Sequence, residues 1–234
     1  MTTHTDILIL CGGFGTRLQS VVSNTPKPLA QISGTPFLEI VLNYFSKQGY
    51  KRFILGTGYL NESFNYLQKK FTNLTIEFSI ETIPLGTGGA VVNALPMIQS
   101  NQLIVLNGDS FLSVQLPELE LFHQNKPADI SFCLSYQENT SRYSRVSLDK
   151  KNQILKFEDK DPQGKPGFIN SGVVCINKEL LKKAPSAPFI FEDDFISPKL
   201  NNIKAFGFEV PGRFIDIGIP ESYKLAQSYL KDLT

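Results

Sequence analysis

The chain has 234 residues, of which 41% are hydrophobic and 19% charged, with a formal net charge of +1. That fits one α/β domain with a real core, and the near-neutral balance argues against a non-specific nucleic-acid binder. No apolar run reaches the roughly 18 residues a membrane span needs.

The first residues, "MTTHTD", have neither a basic region nor an apolar one, so no signal peptide is expected and a cytoplasmic location is. Cys11, Cys133 and Cys175 lie far apart in apolar, strand-like stretches without CxxC spacing. They read as reduced core residues, not as a disulfide framework or a zinc site.

In chain order, "ILILC" is a strand. In "TPFLEIVLNYFSKQG", Phe37, Leu38, Val41, Leu42 and Phe45 recur at helical spacing, with Pro36 suited to the first turn and Gly49 to the stop. "RFILGT" is a strand, Asn61 to Phe71 a helix, and "TIEFSI" a strand. "GGAVVNALPMI" has a helical pattern, and "QLIVLNGD" is a strand ending in an acid. This alternation implies a mostly parallel sheet with helices on both faces.

After Asp129, "DISFCLSY", "SRVSLD", "QILKFED" and "FINSGVVCI" are strands with little helix between them. They suggest an antiparallel or mixed extension of the sheet, or a small lobe. "IFEDDFISPKL" looks helical, "IKAFGFEV" is a strand, and "IPESYKLAQSYLKDL" is a closing helix with Pro220 in its first turn.

Gly12, Gly13 and Gly15 sit where the first strand ends, the place where open α/β sheets bind ligands. Glycines there let backbone N–H groups approach an anion closely. Arg17 adds a cationic fork and Lys27, in "TPKPL", a point charge. Together they read as a cradle for a nucleoside triphosphate. A Walker A run is absent, and a Rossmann fingerprint would need glycine where Leu18 stands. The plain alternative is a glycine turn with surface cations.

"CGGFGTRL…TPKPL" resembles the signature of the sugar-1-phosphate nucleotidylyltransferases, and the likeness continues through "PLGTGGA", "NGDS", "FEDK", "FINSGVV" and "FIDIGIPESY". The resemblance implies a Rossmann-like three-layer α/β/α sandwich with a mixed, mostly parallel central sheet, the nucleotide-diphosphosugar transferase fold. It implies a single domain over 1–234, with a nucleotide-binding part to about 110 and a sugar-phosphate-binding part from about 111. It also implies one reaction, attack of a sugar 1-phosphate on the α-phosphorus of a nucleoside triphosphate. Cys11, Gly12, Gly13, Gly15, Thr16 and Arg17 would then hold the nucleotide.

Asp109 ends the strand "LIVLNGD" and Asp216 ends the strand in "RFIDIG". Magnesium takes carboxylates together with phosphate and water oxygens, and the resemblance gives matching aspartates Mg²⁺ to hold. The plain readings are a turn residue for Asp109 and a helix cap for Asp216. A sugar phosphate has a second pKa of roughly 6 and is largely a dianion near neutrality, so no general base is required. Positioning and charge neutralisation should suffice. His4 and His123, in no promising motif, read as surface residues.

The resemblance places a glutamate on sugar hydroxyls and a lysine on the sugar phosphate, matched by Glu158 and Lys160. Asp161 stands where the family commonly has proline and is a nearby partner for Lys160. Asn170, Gly172 and Gly108 map to the sugar-phosphate side, with "FINSGVV" closing one strand and opening another. Ser144 in "SRYSRV" stands where the family usually has glycine.

Glu81 to Ala90, "ETIPLGTGGA", is the stretch that reads the base in relatives. Gly86, Gly88 and Gly89 would let backbone approach a flat base, with Thr87 offering a hydroxyl. A guanine shows two donors on one edge, for which Glu81 or backbone carbonyls could be the acceptor.

"PLGTGGA" resembles the guanylyltransferase branch. "FIFEDDFISPKL", together with the lack of a β-helix tail after the last helix, resembles short enzymes acting on D-glycero-α-D-manno-heptose 1-phosphate. GTP and that heptose 1-phosphate are the expected partners, with neither nucleic acid nor membrane involved, for surface polysaccharide synthesis by a monomer or homodimer. Mannose 1-phosphate, or glucose 1-phosphate with another base, are the alternatives. A nucleotide-sugar-binding regulator is a second class, but it would be expected to lack Arg17, Lys27 or one of the aspartates.

Overall fold

The structure is a computed structural model that describes residues 5–13, 15–18, 21–22 and 24–234. In chain order it contains β1 (Asp6–Leu10), the small hairpin β2 (Gln31–Ile32) and β3 (Thr35–Pro36), α1 (Phe37–Ser46), β4 (Arg52–Thr57), α2 (Tyr66–Lys70) and β5 (Thr75–Ile80). Next come α3 (Gly86–Asn93), β6 (Gln102–Asn107), β7 (Ser110–Leu112), α4 (Leu116–Asn125) and β8 (Ile130–Gln137). The chain closes with β9 (Val146–Leu148), β10 (Ile154–Phe157), β11 (Gly167–Asn177), α5 (Lys178–Leu181), β12 (Ala205–Glu209), β13 (Phe214–Asp216) and α6 (Pro220–Tyr229).

The main sheet has seven strands in the order β12-β8-β11-β6-β1-β4-β5. β1 runs parallel to β4 and β6, and β4 parallel to β5. β11 alone reverses, antiparallel to β6 and β8, while β12 is again parallel to β8. The sheet is therefore mixed and mostly parallel, as the alternation of elements implies. Chain order reverses between β1 and β6, so a crevice opens at their carboxyl ends.

Alternation along β1 separates the two faces. Ile7 and Ile9 pack into one apolar cluster with α1 residues such as Leu38, Val41 and Phe45. Leu8 points the other way, into a cluster with Val91 of α3, Phe132 and Phe195. Each fully buried side chain of this size contributes about 1.5–3 kcal/mol relative to exposure.

Several segments depart from the sequence pattern. Asn61 to Phe71 is not one helix but a 3₁₀ turn, Asn61–Phe64, followed by α2. "IFEDDFISPKL" is a π-helical turn, Phe191–Ile196, running into a 3₁₀ stretch, Ser197–Asn202. "FINSGVV" does not divide two strands. It lies inside the single 11-residue β11, whose register shifts between Asn170 and Val174. Gly172 absorbs that irregularity with a φ of +78°, a value that carries little strain only for glycine.

His123 is a correction, because it is buried, not on the surface. Asn177 Nδ2 donates to the Ala128 carbonyl at 2.7 Å, which turns its Oδ1 toward His123 Nε2 at 3.2 Å. Nε2 therefore carries the proton and Nδ1 accepts from Ser131 Oγ at 2.9 Å. Burial lowers the pKa of His123, so it is a neutral core residue. His4 lies outside the described residues. The three cysteines are free and buried, and among the described residues no helix is long and apolar enough to cross a membrane.

Candidate active site

A cleft of about 600 Å³ opens over the ends of β1, β4 and β6. Gly12, Gly13, Lys27, Glu81 and Asp109 line it, together with Cys11, Gly86, Thr87 and Gly108. The glycines have separate reasons. A Cβ on Gly12 would stand 2.4 Å from Glu81 Oε1, whereas one on Gly13 would face open space. Gly15 has a φ of +62°, and its Cβ position is 3.2 Å from Lys27 Cβ, so this turn seats Lys27. Gly108 lets the end of β6 close on β1, because its Cβ would sit 2.4 Å from the Leu10 carbonyl oxygen.

Lys27 Nζ pairs with Asp109 Oδ2 at 2.7 Å, and only 12% of the lysine side chain is exposed. Asp109 lies in the turn between β6 and β7. Antiparallel pairing of β7 with β13 sets Asp216 opposite Ser110, and the Ile217 N–H donates to the Asp109 carbonyl at 2.8 Å. Phe111 and Ile215, buried opposite one another, fix this register. A slip of one residue would turn Asp216 to the other face. Two residues 107 positions apart thus lie on paired segments, with Asp109 in the cleft lining.

Asp216 has partners that the sequence did not reveal. Arg142 Nη2 lies 2.6 Å from its Oδ1, and the Tyr143 hydroxyl donates to its Oδ2. The segment "SRYSRV" was visible as a motif, but pairing across 74 residues was not.

Glu158 is not in the cleft lining; it accepts from Arg145 and from Ser147 Oγ. Lys160 is exposed, and Asp161 pairs at 3.6 Å with Lys165, not with Lys160. Arg17 and Thr16 are exposed in a short 3₁₀ turn, Thr16–Leu18. Neither Arg17 nor Lys160 has a hydrogen bond or ion pair to the other candidates among the described residues. Asn170 Nδ2 donates to Glu192 Oε1 at 2.8 Å, and its Oδ1 accepts the Gly172 N–H at 3.0 Å. A Cβ on Gly172 would collide with Asn107 Nδ2 and Ser110 Oγ, which ties this bend to β6 and β7.

The glycines between Glu81 and Ala90 have a packing reason that the sequence did not show. A Cβ on Gly86 would stand 2.4 Å from the Phe189 carbonyl oxygen, one on Gly88 2.1 Å from the Phe189 ring, and one on Gly89 2.9 Å from Ala187 Cβ. The glycines seat residues 187–189 on α3, with the Gly88 N–H donating to the Phe189 carbonyl at 3.0 Å. The Thr87 hydroxyl is likewise engaged, accepting the Phe191 N–H at 3.0 Å. Gly88→Ala is therefore expected to destabilise the fold by about 1–3 kcal/mol, the usual cost of overpacking. Urea unfolding reads this directly, and a variant as stable as the parent would show that residues 187–189 can reseat freely.

Glu81 remains in the cleft with its carboxylate over Gly12. Burial raises its pKa, partly offset by a hydrogen bond from the Leu85 N–H at 3.2 Å. No side-chain cation is paired with it among the described residues. It is an acceptor with capacity to spare.

A glycine-lined cleft at a sheet's switch point, with a lysine–aspartate pair in its lining and a second aspartate on the adjoining strand pair, suits a phosphate-handling transferase. Residues 7–232 match the nucleotidyl transferase family, and the chain belongs to that family. It is 36% identical to the D-glycero-alpha-D-manno-heptose 1-phosphate guanylyltransferase of Aneurinibacillus thermoaerophilus, over 97% of this chain and 98% of that protein. Identity to the enzyme of the same name from Campylobacter jejuni is 38%, over 92% and 96% of the two chains. The crystal structure of HddC from Yersinia pseudotuberculosis complexed with GMP-PN superposes with a TM-score of 0.85, at 35% identity, covering 95% of this chain and 98% of that one.

Proposed function

We propose that this chain transfers the guanylyl group of GTP to D-glycero-α-D-manno-heptose 1-phosphate, giving the GDP-sugar and pyrophosphate. The observation that carries the reading is the Lys27–Asp109 pair on the cleft floor with Asp216 beside it. The heptose and the base rest on the two similar guanylyltransferases and on the GMP-PN complex of a similar chain.

In this reading the Gly12–Gly15 loop binds the triphosphate through backbone N–H groups, and Lys27 and Arg17 neutralise its charge. The sugar phosphate is already a nucleophile near neutral pH, so these residues position and neutralise and hold no proton in transit. Glu158, Asn170 and Gly172 take the sugar, and Lys160, unpaired and exposed, reaches its phosphate.

Asp109 and Asp216 would hold Mg²⁺. The donor set fits, because two adjacent carboxylates with phosphate and water oxygens make a hard-oxygen site. Bound there, the ion supplies charge neutralisation and a template at the α-phosphate. The reaction belongs in the cytoplasm, and its product feeds surface polysaccharide synthesis.

Pyrophosphate release tests the reading, with GTP, ITP, dTTP and UTP set against heptose, mannose and glucose 1-phosphates. ITP lacks only the N2 amine, so it isolates one of the two donors that Glu81 would accept. GTP is expected to be used best and ITP about tenfold or more worse, the effect of leaving one buried polar contact unmade. Glu81→Gln should narrow that gap. A preference for dTTP or UTP would overturn the guanylyl assignment and leave the nucleotidyl class standing. Absence of pyrophosphate release with every nucleotide and sugar phosphate would favour a binding regulator.

A further inference from the structure

Both oxygens of Asp216 accept hydrogen bonds in this structure, two on Oδ1 and one on Oδ2. Oδ1 accepts from Arg142 at 2.6 Å and from the Gly218 N–H at 2.9 Å, and Oδ2 accepts from the Tyr143 hydroxyl. The pairing is built, not incidental. The Arg142 guanidinium lies over the Tyr143 ring at 5.3 Å, and that ring meets Phe214 of β13 edge-on. The pairing of β7 with β13 brings Asp109 and Asp216 onto neighbouring segments, and each already holds a cation, Lys27 on Asp109 and Arg142 on Asp216.

A guanidinium and a divalent ion draw on the same carboxylate lone pairs. Arg142 must yield before a metal can take Oδ1, and its charge opposes a metal on Oδ2. The arginine side chain is a third exposed, so it can swing into solvent, whereas Asp216, at 13%, sits on a strand and cannot. Resting on the reading of Asp109 and Asp216 as the metal carboxylates, we propose that Arg142 is a positioning residue that competes with the metal. It keeps Asp216 oriented and neutralised in the free protein and sets how tightly a bare divalent ion binds. The ion then enters most readily with the phosphates that accompany it, whose negative charge offers the displaced guanidinium a new partner.

The test is Mn²⁺ binding to the substrate-free protein, followed by loss of the free-ion signal in electron paramagnetic resonance, for the parent, Arg142→Met, Arg142→Lys and Asp216→Asn. Arg142→Met is expected to bind Mn²⁺ at least about threefold more tightly, the range set by a partly exposed ion pair. Arg142→Lys, which keeps a cation, should stay near the parent, and Asp216→Asn should lose binding. A purely structural role for Arg142 would leave the affinity unchanged or weaken it, and that result overturns the proposal even if Asp216→Asn behaves as expected. Parent-like binding by Asp216→Asn would overturn the metal assignment and the proposal together. Melting curves identify a variant that has lost its fold, and if Arg142→Met has, Arg142→Gln takes its place with the same expected tightening and the same overturning result. Tightening in Arg142→Lys as large as in the neutral variant would also count against competition by charge.

Discussion

Asp109→Asn and Asp216→Asn are each expected to lower pyrophosphate release by about 10²–10³, and the double variant to be little worse than either single. A metal contributes several kcal/mol of charge stabilisation, and each tenfold in rate is about 1.4 kcal/mol. Residues that act as one unit give losses that do not multiply. The structure supplies the reason to treat these two as a unit, since β7 and β13 pair with Asp216 opposite Ser110 and the Ile217 N–H on the Asp109 carbonyl. Turnover of the three variants at saturating GTP and Mg²⁺ checks this, and a double variant whose loss is the product of the singles would argue for separate sites.

Lys27→Ala is expected to reduce turnover by about 10²–10³, the usual effect of deleting one preorganised group aimed at developing charge. By sequence alone Lys27 belongs to a proline-bracketed surface loop, where truncation would cost no more than about 0.5 kcal/mol of stability. The structure revises that figure upward. The lysine side chain is only 12% exposed and its ammonium is 2.7 Å from Asp109. Losing that pair is expected to cost about 1 kcal/mol, held down because Asp109 is a third exposed and can rehydrate. Urea unfolding separates this small loss from the large loss of rate. Near-parent turnover in a folded Lys27→Ala protein would remove Lys27 from the chemistry.

Much of the fold was written in local pattern. The apolar runs "ILILC", "RFILGT" and "QLIVLN" are β1, β4 and β6, and the helical spacing from Phe37 to Phe45 is α1. Buried parallel strands and amphipathic helices carry their own period, so residues near in sequence suffice to show them. The glycine loop and the lysine between prolines were legible for the same reason, because backbone approach to an anion is a short-range requirement.

What the sequence could not show were relations across the chain. That Gly86, Gly88 and Gly89 make room for Phe189 and Ala187 depends on a segment a hundred residues further on. A missing side chain says only that something comes close; the tertiary fold decides what. His123 followed the same rule. Its ring is buried only because Ser131 and Asn177, from two other strands, satisfy both nitrogens, and a lone histidine on α4 carries no sign of that. The two aspartates could each be suspected from a strand end, but their adjacency required the β7–β13 register, and Arg142 became part of the site only through it. Sequence alone determined which chemical groups this protein carries and which local elements bear them. The tertiary structure decided which groups meet, because pairing charges across 74 or 107 residues is set by strand order and register, and no local pattern encodes either.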